Sequence, residues 1–95
     1  MIALKLNSEF SFAIEHCEKQ ARLIVYKNGL EDVCRKETFG NLQRFIETER
    51  GRLFKGRLRL DKYNGVIEVK GELVGIIKTG DFSHYLKDAK CESAL

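Results

Sequence analysis

The 95-residue sequence contains no apolar run approaching the roughly 18 residues of a membrane-spanning helix, so no such helix is expected. Met1 to Phe10 has neither the basic start nor the apolar stretch of a secretory signal, and the expected location is the cytoplasm. Cysteine is scarce. Cys17, Cys34 and Cys91 are odd in number and lack CxxC spacing, which argues against a disulfide framework or a zinc knuckle and for a reducing compartment. His16 and His84 are the only other soft ligands, with no close pair at zinc-finger spacing, so no metal is expected.

Motifs of catalysis are missing as well. Gly71, Gly75 and Gly80 recur every four or five residues but form neither GxxxxGK nor GxGxxG, so no phosphate cradle is written here. Cys17 and Cys34 fall on predicted apolar faces, where cysteine acts as a small buried hydrophobe. His84 belongs to the polar side of the last predicted helix beside Asp81 and Lys87, and Glu31, Asp32, Glu47 and Glu49 to exposed faces. These positions assemble no nucleophile, acid or base, and neither an enzyme nor a cofactor is expected.

What is present suits a small folded domain. Apolar residues make up 43% and charged residues 33%, enough for one core under a well-solvated surface. A single α+β domain is expected over residues 1–90, with 91–95 a frayed tail.

Ile2, Leu4 and Leu6 alternate as a short strand. Ser8 is placed to cap a helix bearing Phe10, Ala13, Ile14 and Cys17 at i, i+3, i+4 and i+7; Phe10, Phe12 and Ile14 also alternate, which leaves a strand as the rival. Around Asn28-Gly29, a type I′ hairpin pairs Lys27 with Leu30, Ile24 with Val33 and Leu23 with Cys34. Thr38 caps a helix with Phe39, Leu42, Phe45 and Ile46 as its stripe and Gly51 as a left-handed end.

Leu53 to Leu60 reads as one strand, and Asn64-Gly65 turns it back into Val66 to Val69. A two-residue turn there sets Arg59 against Lys70 and Asp61 against Glu68; a four-residue loop, 62–65, avoids both like-charge pairs and is the expected register. After Gly71-Glu72 comes a strand from Leu73 to Lys78. Thr79 or Asp81 then caps a helix with Phe82, Tyr85, Leu86 and Ala89 inward.

The predicted order is β-α-β-β-α-β-β-β-α, an antiparallel sheet with two or three helices on it and two ββα-like units at about 22–49 and 66–89. With the first helix, residues 2–60 have the βαββαβ order of a ferredoxin-like unit. The two units match in Val25, Lys27, Gly29, Leu30, Lys36 and Phe39 against Val69, Lys70, Gly71, Leu73, Lys78 and Phe82.

Charge is unevenly spread. Residues 50–62 hold six basic residues against Asp61, a local +5, while the remainder, 11 basic and 13 acidic residues, nets −2. On one strand Lys55, Arg57 and Arg59 would project from one side at roughly 7 Å spacing, near that of phosphates along nucleic acid, with Tyr63 placed to stack on a base. Arg50, Arg52, Lys55, Arg57, Arg59, Lys62, Tyr63 and Lys70 are therefore the candidate site for an anionic partner.

The leading expectation is a non-enzymatic module acting through protein contacts: an adaptor, inhibitor or accessory protein of a bacterium, phage or mobile element. The segment from Gly51 to Leu60 has the general look of short bacterial accessory proteins. Self-association as a homodimer, through an edge strand or through Phe12, Phe54 and Val74, is the natural form of such contact. Nucleic-acid binding by the basic strand is the alternative, and a small enzyme the third.

Overall fold

Alternating apolar residues dominate the chain, and a computed structural model, which describes residues 4–54, 56, 58–71 and 75–92, folds them into two four-stranded antiparallel sheets and two helices. The first sheet is a meander of β1 (Leu4–Lys5), β2 (Phe10–Cys17), β3 (Gln20–Lys27) and β4 (Leu30–Glu37), followed by α1 (Phe39–Glu47). The second repeats the plan with β5 (Gly51–Leu53), β6 (Leu58–Tyr63), β7 (Val66–Gly71) and β8 (Gly75–Lys78), followed by α2 (Thr79–Glu92). The class is α+β, and the two ββα-like units each grow into ββββα.

The helix expected from Ser8 to Cys17 is strand β2, and the ferredoxin-like order falls with it. Its register explains why. Phe12 pairs with Val25 and Ile14 with Leu23, so the alternating set enters the core, while Ala13 pairs with Ile24 on the opposite face. The connecting turn is Glu18-Lys19, both at positive φ (49° and 72°), a hairpin turn without the glycine that would have announced it.

At Asn28-Gly29 the predicted turn and the Lys27–Leu30 pair are present, but a bulge between Val25 and Tyr26 shifts the rest. Val33 now faces Val25 and Cys34 faces Ile24, instead of the expected Ile24–Val33 and Leu23–Cys34 pairs. The extra residue turns Val33 onto the core and sends Cys34 to the outer face.

Thr38 caps α1 as expected, its Oγ1 accepting from the Asn41 N–H at 3.1 Å. Gly51 does not end the helix. Thr48 does, in extended conformation, its N–H and hydroxyl both donating to the Arg44 carbonyl at 3.0 and 2.8 Å, and Gly51 opens β5. The single strand expected from Leu53 to Leu60 is two strands, folded back through Phe54 and Gly56 at positive φ (69° and 86°), with Leu53 opposite Leu60. Asn64-Gly65 makes a two-residue turn, not the four-residue loop, so Arg59 does stand opposite Lys70 and Asp61 opposite Glu68. The favourable type I′ backbone of Asn-Gly and the cross-strand bonds described below outweigh those two repulsions.

Residues of both sheets and both helices share one hydrophobic cluster. Phe82 on α2 is its hub. Its ring stacks on Phe12 of β2 (centroids 5.9 Å apart) and meets Phe45 of α1 edge-on (6.4 Å). The helix of the second unit thus packs on the sheet of the first, as well as on β7 and β8. Beside this junction Gly75 lets the chain after β1 approach β8: a Cβ at that position would stand 3.0 Å from Leu6 Cβ. Helix α2 runs through Cys91 to Glu92, and residues 93–95 of the expected tail lie outside the described residues.

Two outcomes follow from this packing. Phe82→Ala is expected to lower the unfolding free energy by about 3–5 kcal/mol, with circular dichroism and tyrosine fluorescence in urea still giving coincident transitions; separate transitions would show that the two sheets are not one cooperative unit. Lys19→Gly, which removes a side chain from left-handed backbone, is expected to raise stability by up to about 1 kcal/mol in the same titration.

Candidate binding surface

The basic segment is divided among several elements. Arg50 sits exposed in the turn after α1, Arg52 lies on β5, and Arg59, Lys62 and Tyr63 lie on β6. Lys55 and Arg57 lie outside the described residues, as does Val74, and Lys70 is placed by its backbone alone, opposite Arg59. Strand alternation sends Arg52, Arg59, Asp61, Tyr63 and Glu68 to the outer face of the second sheet and Leu58, Leu60 and Lys62 inward.

On that outer face the charges engage one another. Asp61 Oδ1 accepts from Arg52 Nε at 3.0 Å, and its Oδ2 lies 3.5 Å from Arg59 Nε. Tyr63 Oη donates to Glu68. One carboxylate therefore serves two guanidiniums from adjacent strands, which also relieves the repulsion between Asp61 and Glu68. Arg50, Arg52, Asp61, Lys62 and Tyr63 border a shallow hollow of about 510 Å³. Beyond it, Ile76 on β8 stands 60% exposed opposite Glu68.

Lys62 departs from the expected stripe. It is only 8% exposed, and its ammonium donates to the Thr48 carbonyl at the C-terminal end of α1. A cation there satisfies a helix-end acceptor and complements the negative pole of the helix. Its role is to tie α1 to β6.

Three further placements differ from expectation. Phe12 is core, not contact surface, and Phe54 packs partly buried against that core. The most exposed large apolar side chains among the described residues are Leu30, at 75%, and Ile76. Cys17 and Cys34 are half-buried on the outer face of the first sheet rather than within the apolar interior. His84 is exposed, as expected, with Asp88 at 3.4 Å, while His16 stacks on Phe39 at 5.7 Å. Among the described residues, no three His, Cys, Asp or Glu side chains gather as metal ligands, and no helix is long and apolar enough to cross a membrane.

Two features escape sequence reasoning. On the outer face of the first sheet Arg22 bonds Glu15 at 2.8 Å and also Glu31, and these two carboxylates raise its already high pKa. On the same face Ile24 is fully buried although it points away from the core. The second is a groove of about 320 Å³ between α1 and α2, lined by Phe39, Gly40, Gln43, Arg44, Leu86, Lys87 and Lys90. The i, i+1, i+4 spacing of Leu86, Lys87 and Lys90 marks one face of a helix, but only the packing of α2 on α1 brings that face to Arg44.

Lys62→Ala is expected to cost about 1–3 kcal/mol, because it orphans a carbonyl at a helix end, read as a lowered urea midpoint. Asp61→Asn is expected to lower the urea midpoint, because the Asp61 side chain is only 13% exposed and its charge serves both Arg52 and Arg59, and to raise retention on a cation exchanger as both guanidiniums lose their acid. Comparison with protein-family models, with curated proteins and with solved structures finds no match to this chain, which leaves the geometry as the support for function.

Proposed function

We propose that the chain is a non-enzymatic binding module acting through protein contacts, an adaptor, inhibitor or accessory protein working in the cytoplasm of a bacterium or on behalf of a phage or mobile element. The observation that carries this reading is the outer face of the second sheet. There Arg52 and Arg59 converge on Asp61, Tyr63 engages Glu68, and Ile76 is exposed among them. A polyanion is held by cations whose counter-charge it supplies, and its affinity grows with each phosphate neutralised. Here part of that counter-charge is internal. Charges of both signs around an exposed apolar side chain suit a protein partner, where apolar contact supplies affinity and paired charges set orientation. Self-association through this face is one form of such contact.

Crosslinking in the native cell, followed by peptide mapping, tests the reading. Crosslinks from the β5–β8 face to a protein, or to a second copy, that disappear with Ile76→Arg are the expected result. The reading is overturned if purified protein instead binds DNA or RNA oligonucleotides at low salt with a steep salt dependence that Arg50→Glu and Arg52→Glu abolish.

A further inference from the structure

The groove between α1 and α2 is chemically unlike the second-sheet face. Its floor is apolar, formed by Leu86, 3% exposed, and half-buried Phe39, and its rim carries Arg44, Lys87 and Lys90 with no carboxylate in the lining. Arg44 donates to the neutral amide oxygen of Asn41, and among the described residues neither Arg44 nor Lys87 is held in an ion pair. Gly40 opens the wall, since nothing lies within 4 Å of where its Cβ would stand.

We infer that this groove docks an acidic amphipathic helix of a partner protein, with one or two apolar anchors on Phe39 and Leu86 and flanking carboxylates on the basic rim. The volume is the first reason. About 320 Å³ lies at the small end of ligand cavities, which run from about 300 to 1,000 Å³. That is room for anchor side chains presented at i and i+3 or i+4, the helix-in-groove mode.

Charge is the second reason. A second copy docking groove to groove would set Arg44 and Lys87 against themselves, and like charges brought together across an interface disfavour it. A nucleic acid would match the charge but not the floor. One face of the Phe39 ring is already taken by His16, and Leu86 offers no π-surface for a base.

The probe is a fluorescent peptide of about 16 residues with leucines at i, i+3, i+4 and i+7, glutamates flanking them and alanines at the remaining positions, so that it can form a helix. Anisotropy titration with the full chain is expected to give micromolar binding that weakens with salt. Arg44→Glu combined with Lys87→Glu should reduce affinity by about tenfold or more, and so should Gly40→Leu, which adds a side chain to the groove lining at an exposed position where a Cβ meets nothing within 4 Å. Ile76→Arg should leave peptide binding unchanged, which separates this site from the second-sheet face. Absence of binding, binding untouched by the groove variants, or equal affinity for a lysine-substituted peptide or a single-stranded oligonucleotide would overturn the assignment. A dimer in sedimentation that Gly40→Leu dissociates would also overturn it, by making a second copy the occupant.

Discussion

The packing of Phe82 against Phe12 and Phe45 is the contact on which the rest of the molecule depends. Each ββββα unit has a sheet with an apolar inner face that must be covered, and each has one helix. Had each helix covered its own sheet, the chain would be two small domains of under 50 residues, near the limit at which a core can sustain itself. Instead α2 reaches across to β2 and β3 while still touching β7 and β8, and α1 lies against α2 and β5. One core serves both sheets. Lys62 reinforces the exchange in polar terms, since a cation from the second sheet closes the end of the first unit's helix.

Several elements were legible in the residues, each because a local rule and a tertiary need agreed. Thr38 with Leu42 and Phe45 specifies α1 by cap and stripe together. For α2 the stripe of Phe82, Leu86 and Ala89 is buried as expected, but the helix already begins at Thr79, whose buried hydroxyl bonds nothing among the described residues, and Asp81 lies within its first turn, so neither caps it as expected. Asn28-Gly29 and Asn64-Gly65 mark their turns because their backbones need positive φ at both positions. Where a turn uses ordinary residues the signal disappears. Glu18-Lys19 and Phe54 adopt the same left-handed conformation without announcing it, and it was at these two places that β2 read as helix and β5 and β6 merged into one strand. The competition was real at β2, whose Phe10, Ala13, Ile14 and Cys17 satisfy a helical period while Phe12 and Ile14 satisfy the strand. Only pairing with Val25 and Leu23 decides it.

The candidate site was less legible, for a reason of geometry. Six basic residues in thirteen form a cluster in sequence, but a hairpin redistributes them. Arg52 and Arg59 arrive on neighbouring strands with Asp61 between them, and Lys62, one residue further, faces the opposite way. The expected 62–65 loop, two residues out of register in the β6–β7 hairpin, sets Arg59 against Glu68, which is neutralisation of the right kind by the wrong acid. Charge balance is thus a property of the segment, whereas charge display belongs to the face.

The groove between the helices arises from the same interlock. Leu42 and Phe45 commit α1 to the core, and its first turn, Phe39 and Gly40, extends past the residues that hold it there. Helix α2 is longer, 14 residues against 9, and brings Leu86, Lys87 and Lys90 alongside that turn. Gly40 leaves the wall of the groove open, since a Cβ there would meet nothing within 4 Å. The apolar residues of both helices close the floor, and the outward positions of two solvated helices become a basic rim. Neither unit alone contains this feature, so a surface with a defined floor and a single sign of charge is a product of the exchange that builds the core.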